Sequence, residues 1–122
     1  MSINHNYDQN IPLVKKSYEL YKKTHHYLKS FPKQERYSLG QKIQNMILEL
    51  LCGLITVNQL PKILREDLLI KLNSQNELLK LLFRLSHEIK VLDMKKYLSA
   101  ESDCQEIGKM IGGWIKYLKS ER

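Results

Sequence analysis

Apolar residues recur in this chain at alternating intervals of four and three, a rhythm that only a helix with a buried face keeps in register. Val14, Tyr18, Tyr21, His25 and Leu28 form the first stripe, and Ile43, Ile47, Leu50, Leu54 and Val57 the second. Leu78, Leu82, Leu85, Ile89 and Leu92 form the third, and Ile107, Ile111, Trp114 and Leu118 the fourth. Prolines punctuate the series. Pro32 in "SFPK" and Pro61 in "NQLPK" disfavour helical geometry in the residue before them, yet each suits the first turn of a new helix, and Pro12 sits where a first turn tolerates it. The fourth helix is expected to begin near Ser99 as N-cap, with Glu101, Asp103 and Glu106 in the first turns, where negative charge complements the helix dipole. Short connections make sequential helices antiparallel. The expected fold is therefore all-α, an up-down-up-down four-helix bundle filling one domain over residues 1–122, with 1–8 and 120–122 loose.

Composition agrees with helices and narrows the setting. Five glycines and three prolines are few for the frequent turns of an all-β chain of 122 residues. Cys52 and Cys104 stand apart without CxxC spacing, as in a reduced cytosolic protein. The first ten residues are polar and read as no signal peptide, and the apolar run from Met46 to Val57 contains Glu49 and falls short of the ~20 residues of a membrane span. A soluble, cytoplasmic protein with no membrane partner is expected. The net charge is +7, and eight of the twenty bases but three of the thirteen acids fall in residues 1–42. Such asymmetry suits a polyanionic partner and also serves solubility.

The stretch "NELLKLLFRLSHEIKVL", residues 76–92, carries Leu79, Leu81 and Phe83 off its stripe, as the second helix carries Met46, Leu48, Leu51 and Ile55. Helices apolar around most of their circumference are covered on more than one side, which implies contact with another chain and hence a homo-oligomer. Lys80 and Arg84, with His87 beyond them, form a narrow polar line between the two apolar surfaces. Their spacing permits two readings: local pairs with Glu77 and Glu88, or phosphate contacts on a rigid element. Lys15, Lys22 and Lys29 recur every seven residues, as do Lys16 and Lys23. With Lys33 and Arg36 they read either as a solvated face or as a cationic ridge attracting a phosphate backbone without regard to sequence. The ridge suits an anionic membrane poorly, since Tyr18, Tyr21 and His25 beside it are weakly apolar. Tyr18, Tyr21 and Tyr27 offer rings on which bases could stack, but Tyr18 and Tyr21 lie on the core stripe and are assigned to packing. Gly108 and Gly112 near Trp114 read as places where another helix approaches closely. His25 and His26 point in different directions with no ligand spaced beside them, no Glu-x-x-His pair supports a di-metal centre, and GxSxG, HExxH and phosphate-binding glycine loops are missing. The residues imply no metal, no cofactor and no catalytic centre.

Two segments add a resemblance. "FPKQERYSLGQKI" (31–43) and "IGKMIGGWIKYL" (107–118) resemble the Avd family, the accessory variability determinant proteins of diversity-generating retroelements. The layout is also similar to a broader group of four-helix bundles encoded by intervening sequences of bacterial ribosomal RNA genes. The resemblance implies a protein without catalytic activity that assembles as a homopentamer and binds a reverse transcriptase and nucleic acid, template RNA or cDNA, in support of mutagenic copying. It further implies that two basic residues of the third helix matter, at the positions of Lys80 and Arg84. Lysine stands at position 80 where the family is associated with arginine, which exchanges a planar fork for a point charge. The wider group implies instead a structural assembly module.

Overall fold

The computed structural model describes residues 5–121 and contains, among them, helices and no strand. Helix α1 spans His5–Leu28. Helix α2 is one helical run over residues 33–59, made of Lys33–Glu35, a π-helical turn at Arg36–Gly40 and the long segment Gln41–Gln59. Helices α3 and α4 span Lys62–Glu88 and Met94–Ser120. Helical structure reaches back to His5, into the segment expected to be loose, while residues 1–4 and 122 lie outside the described residues. None of the described helices is long and apolar enough to cross a membrane.

Each helix packs against its neighbours in the chain, and α4 closes the bundle against α1. Contacts between α3 and α4 run in opposite directions along the two helices: Lys62 Nζ reaches Glu121 Oε1 at 2.7 Å, Asn76 Nδ2 donates to the Cys104 carbonyl at 2.8 Å, and the His87 ring stacks on Tyr97 at 5.1 Å. This is the antiparallel four-helix bundle that the spacing predicts. Where α1 ends, Gly40 at the close of the π turn comes near it: a Cβ there would stand 2.9 Å from Leu28 Cδ2. Gly53 lies against Leu72 of α3, whose Cδ2 would be 2.3 Å from an added Cβ.

Stripes two and four are buried as expected: Ile43, Ile47, Leu50, Leu54 and Val57 on α2, and Ile107, Ile111, Trp114 and Leu118 on α4. The other two are rotated. On α1 the core takes Leu13, Ser17, Leu20, Thr24 and Leu28, while Tyr18 is 52% exposed and Val14 and Tyr21 are half-buried. The small Ser17 and Thr24 let neighbouring helices close in, which the tyrosines would prevent. On α3 the core takes Leu69, Leu72, Asn76, Leu79, Phe83 and Ser86, and the expected stripe of Leu78, Leu85 and Ile89 faces outward. Leu79 and Phe83, read as the second face, are core. Asn76 marks the choice: its amide donation to Cys104 satisfies one buried group, whereas burying it without a partner costs about 1–3 kcal/mol.

The α3–α4 turn also differs from expectation. α4 begins at Met94, five residues before Ser99, because the Asp93 side chain accepts from the Lys96 amide at 2.8 Å as its N-cap. α3 ends in a Schellman motif: Lys90 N donates to the His87 carbonyl and Val91 N to the Ser86 carbonyl, both at 3.0 Å. Lys90 holds the left-handed position with φ of 68°, and Leu92 folds back into the core.

Candidate nucleic-acid interface

Eight of the nine basic residues singled out by the sequence divide into three groups, and Arg36 stands apart. The first faces α4. Lys23 Nζ lies 2.6 Å from both Asp103 Oδ2 and Ser99 Oγ, and Lys16 Nζ lies 2.6 Å from Glu106 Oε2 and 3.2 Å from Asp103 Oδ1. Hydrogen bonding to Glu106, more than any other influence, holds the Lys16 ammonium above its ordinary range, with Asp103 adding to it. Lys16 and Lys23 are therefore not a solvated ridge: they bridge α1 to α4. Arg36 is also structural. Its guanidinium donates to the Lys29 and Phe31 carbonyls at 3.3 and 3.2 Å, closing the exposed end of α1.

The second group is the α3 pair. Lys80 Nζ lies 3.5 Å from Glu77 Oε1 and Arg84 Nε 3.1 Å from Glu88 Oε2, so both local pairs form. They border a cleft of about 230 Å³ between α3 and α4, lined by Glu77, Lys80, Leu81, Arg84, Tyr97 and Glu101. Hydrogen bonding to Glu101, followed by burial, raises the Tyr97 phenol above its usual range, and its ring is nearly parallel to that of His87. The sequence reading did not associate Tyr97 and Glu101 with the pair. No intrahelical spacing could, because they belong to the next helix. With Glu77, Glu88 and Glu101 beside two cations, an incoming phosphate must displace a carboxylate.

The third group is exposed. Lys15, Lys29 and Lys33 have no ion pair among the described residues. Lys22 pairs with Glu19 at 3.3 Å, and its Nζ lies 5.2 Å from the centre of the exposed Tyr18 ring. The outer face of α1, with Lys29 and Lys33 beyond its end, joins cations to an aromatic ring, a combination that suits single-stranded nucleic acid.

The fold and this surface define a small helical-bundle protein with a basic face and a tightly paired inner layer. The bAvd-like family model matches residues 11–118, and the chain belongs to that family, whose type is an accessory protein. No curated protein sequence matches the chain.

Proposed function

We propose that the chain is a non-enzymatic accessory protein of a diversity-generating retroelement, which self-associates and binds the element's reverse transcriptase and nucleic acid. The observation that supports this beyond family membership is the presence of two separate uncovered apolar faces. Leu78, Leu81, Leu85 and Ile89 are 41–56% exposed on α3, and Ile11, Tyr18, Leu48 and Ile55 are 47–52% exposed on the side formed by α1 and α2. Two different faces favour a head-to-tail contact, which closes into a ring, over a two-fold dimer that uses one face twice. Five subunits is the number the resemblance implies. Such a ring repeats its cations around the assembly, so weak phosphate contacts add through avidity.

Light scattering on the purified chain tests the assembly, and a monomer at micromolar concentration refutes it. The Lys80→Ala, Arg84→Ala double variant tests the binding role. Helicity and mass should hold while affinity for the polymerase or for RNA falls by about tenfold or more at moderate salt. A second reading, a structural assembly module like the bundles of ribosomal RNA intervening sequences, draws support from the local pairs of Lys80 and Arg84. Unchanged binding in that variant favours it, and a reverse transcriptase gene beside near-identical repeats in the genome disfavours it.

A further inference from the structure

Helix α4 changes character after Glu106. Residues 107–120 contain no acid, and Lys109, Lys116 and Lys119 all stand exposed there. None of the three has an ion pair among the described residues, whereas Lys16, Lys23, Lys62 and Lys80 are each held by a carboxylate. Seven residues separate Lys109 from Lys116, which places them on nearly one line of the helix about 10 Å apart along its axis. Gly112 and Gly113 lie between them, one to each side of that line.

Among the described residues, nothing packs against either glycine. A Cβ added at either would meet nothing within 4 Å, in contrast to Gly40 and Gly53, which are pressed against leucines. Each glycine inside a helix costs roughly 1 kcal/mol relative to alanine. Gly108 admits α3 as expected, with Asn76 Nδ2 3.3 Å from an added Cβ, whereas Gly112 has no such neighbour among the described residues. Gly112 is half-buried and Gly113 exposed, so glycine backbone with no described side chain against it lies between two cations that have no ion pair among the described residues.

The chemistry of the surface selects its partner. An acid-free row of ammonium groups repels the same face of a second copy and attracts a polyanion. A membrane surface would call for apolar side chains to insert, but the exposed residues of this stretch are Lys109, Gly113, Lys116, Lys119 and Ser120. A nucleic-acid strand carries a charge about every 3.4 Å along a duplex, so several phosphates fit in the ~15 Å between Lys109 and Lys119. We infer that the outward face of α4 from Lys109 to Lys119 is a sequence-independent contact surface for a nucleic-acid phosphate backbone, which passes over Gly112 and Gly113. The inference rests on the proposed nucleic-acid role and adds to it a surface distinct from Lys80 and Arg84.

The test is fluorescence anisotropy of the full chain with a labelled RNA of about 30 nucleotides and a DNA duplex of similar length, titrated across salt. Lys109→Gln with Lys116→Gln should weaken binding about tenfold or more near 0.1 M salt and lower the log–log salt slope on the duplex by about 1.8. Lys42→Gln with Lys71→Gln removes equal charge from other exposed positions and should bind nearly as the parent does. Gly112→Leu fills the notch with charge intact. It should weaken binding several-fold at an unchanged salt slope, with thermal stability held or raised. Parent-like binding by the Lys109, Lys116 variant overturns the α4 surface and leaves the wider nucleic-acid role standing. Parent-like binding by Gly112→Leu overturns the passage over the glycines. A parent chain that binds neither probe, or that binds only phosphatidylserine vesicles, overturns both the inference and the role on which it rests.

Discussion

Removing Asp103 and removing its lysines should cost different amounts, and the difference can be worked from exposure. The Asp103 side chain is 13% exposed, while those of Lys16 and Lys23 are 30% and 31% exposed. After Asp103→Ala the ammonium groups can turn toward water, and Lys16 keeps Glu106 at 2.6 Å. Hydrogen bonds to a charged partner contribute about 1.5–3 kcal/mol, and solvent at the lysine ends pulls that toward the ~0.2–1 kcal/mol of exposed pairs. The expected loss is about 1.5–2 kcal/mol. Lys16→Ala with Lys23→Ala instead strands a mostly buried carboxylate without a cation, and the expected loss rises to about 3 kcal/mol. For a chain of 122 residues, unfolding entropy near 60 °C is about 0.26 kcal/mol per degree, so the midpoints fall by roughly 6–8 °C and 12 °C. Thermal and urea unfolding by circular dichroism, at one fixed protein concentration to hold any self-association constant, measures both. A loss under about 0.5 kcal/mol for Asp103→Ala, or a lysine double variant more stable than Asp103→Ala, would refute the bridge. Lys16 and Lys23 would then belong to the solvated ridge.

Two further outcomes follow from single sites. Lys90→Gly should raise stability by about 1 kcal/mol, because a non-glycine residue at φ of 68° pays for the left-handed region; an unchanged or lower midpoint in urea would show that the strain is absent. Burial pushes the Cys104 thiol up to about 12, so it should resist Ellman's reagent in the folded chain at any pH below about 11 and react once the chain is unfolded. Rapid labelling of Cys104 in the native protein would show that α4 opens locally.

The contrast between α2 and α3 explains how much of the fold was legible. On α2 one register carries the aliphatic run, and Ile43 to Val57 could be assigned from spacing alone. On α3 two registers carry it. Leu78, Leu82, Leu85 and Ile89 keep the rhythm as well as Leu69, Leu72, Leu79 and Phe83 do, and the buried set includes Asn76 and Ser86, which hydropathy argues against. The Cys104 carbonyl on α4 gives the Asn76 amide a partner that no spacing within α3 reveals. On α1 the error has the same origin, since Ser17 and Thr24 look like surface residues and the tyrosines look like core. The site was less legible than the fold. Lys16 and Lys23 lie close in sequence to one acid, Glu19, but their partners Asp103 and Glu106 come from the helix that closes the bundle.

The rotation of α3 also changes what Lys80 and Arg84 can do. With Leu79 and Phe83 inward, the outward leucines form a stripe directed away from the core, and the pair lies beside it against α4. A subunit covering that stripe would come up to the edge of the pair, since Leu81 belongs both to the stripe and to the cleft that the pair borders. The carboxylates now holding the cations are weak competitors, because each exposed intrahelical pair contributes a few tenths of a kcal/mol. A phosphate that brings two charge-assisted hydrogen bonds would exceed that. The ion pairs of the isolated chain and a phosphate-binding role in the assembly are therefore compatible, and high salt should weaken both together.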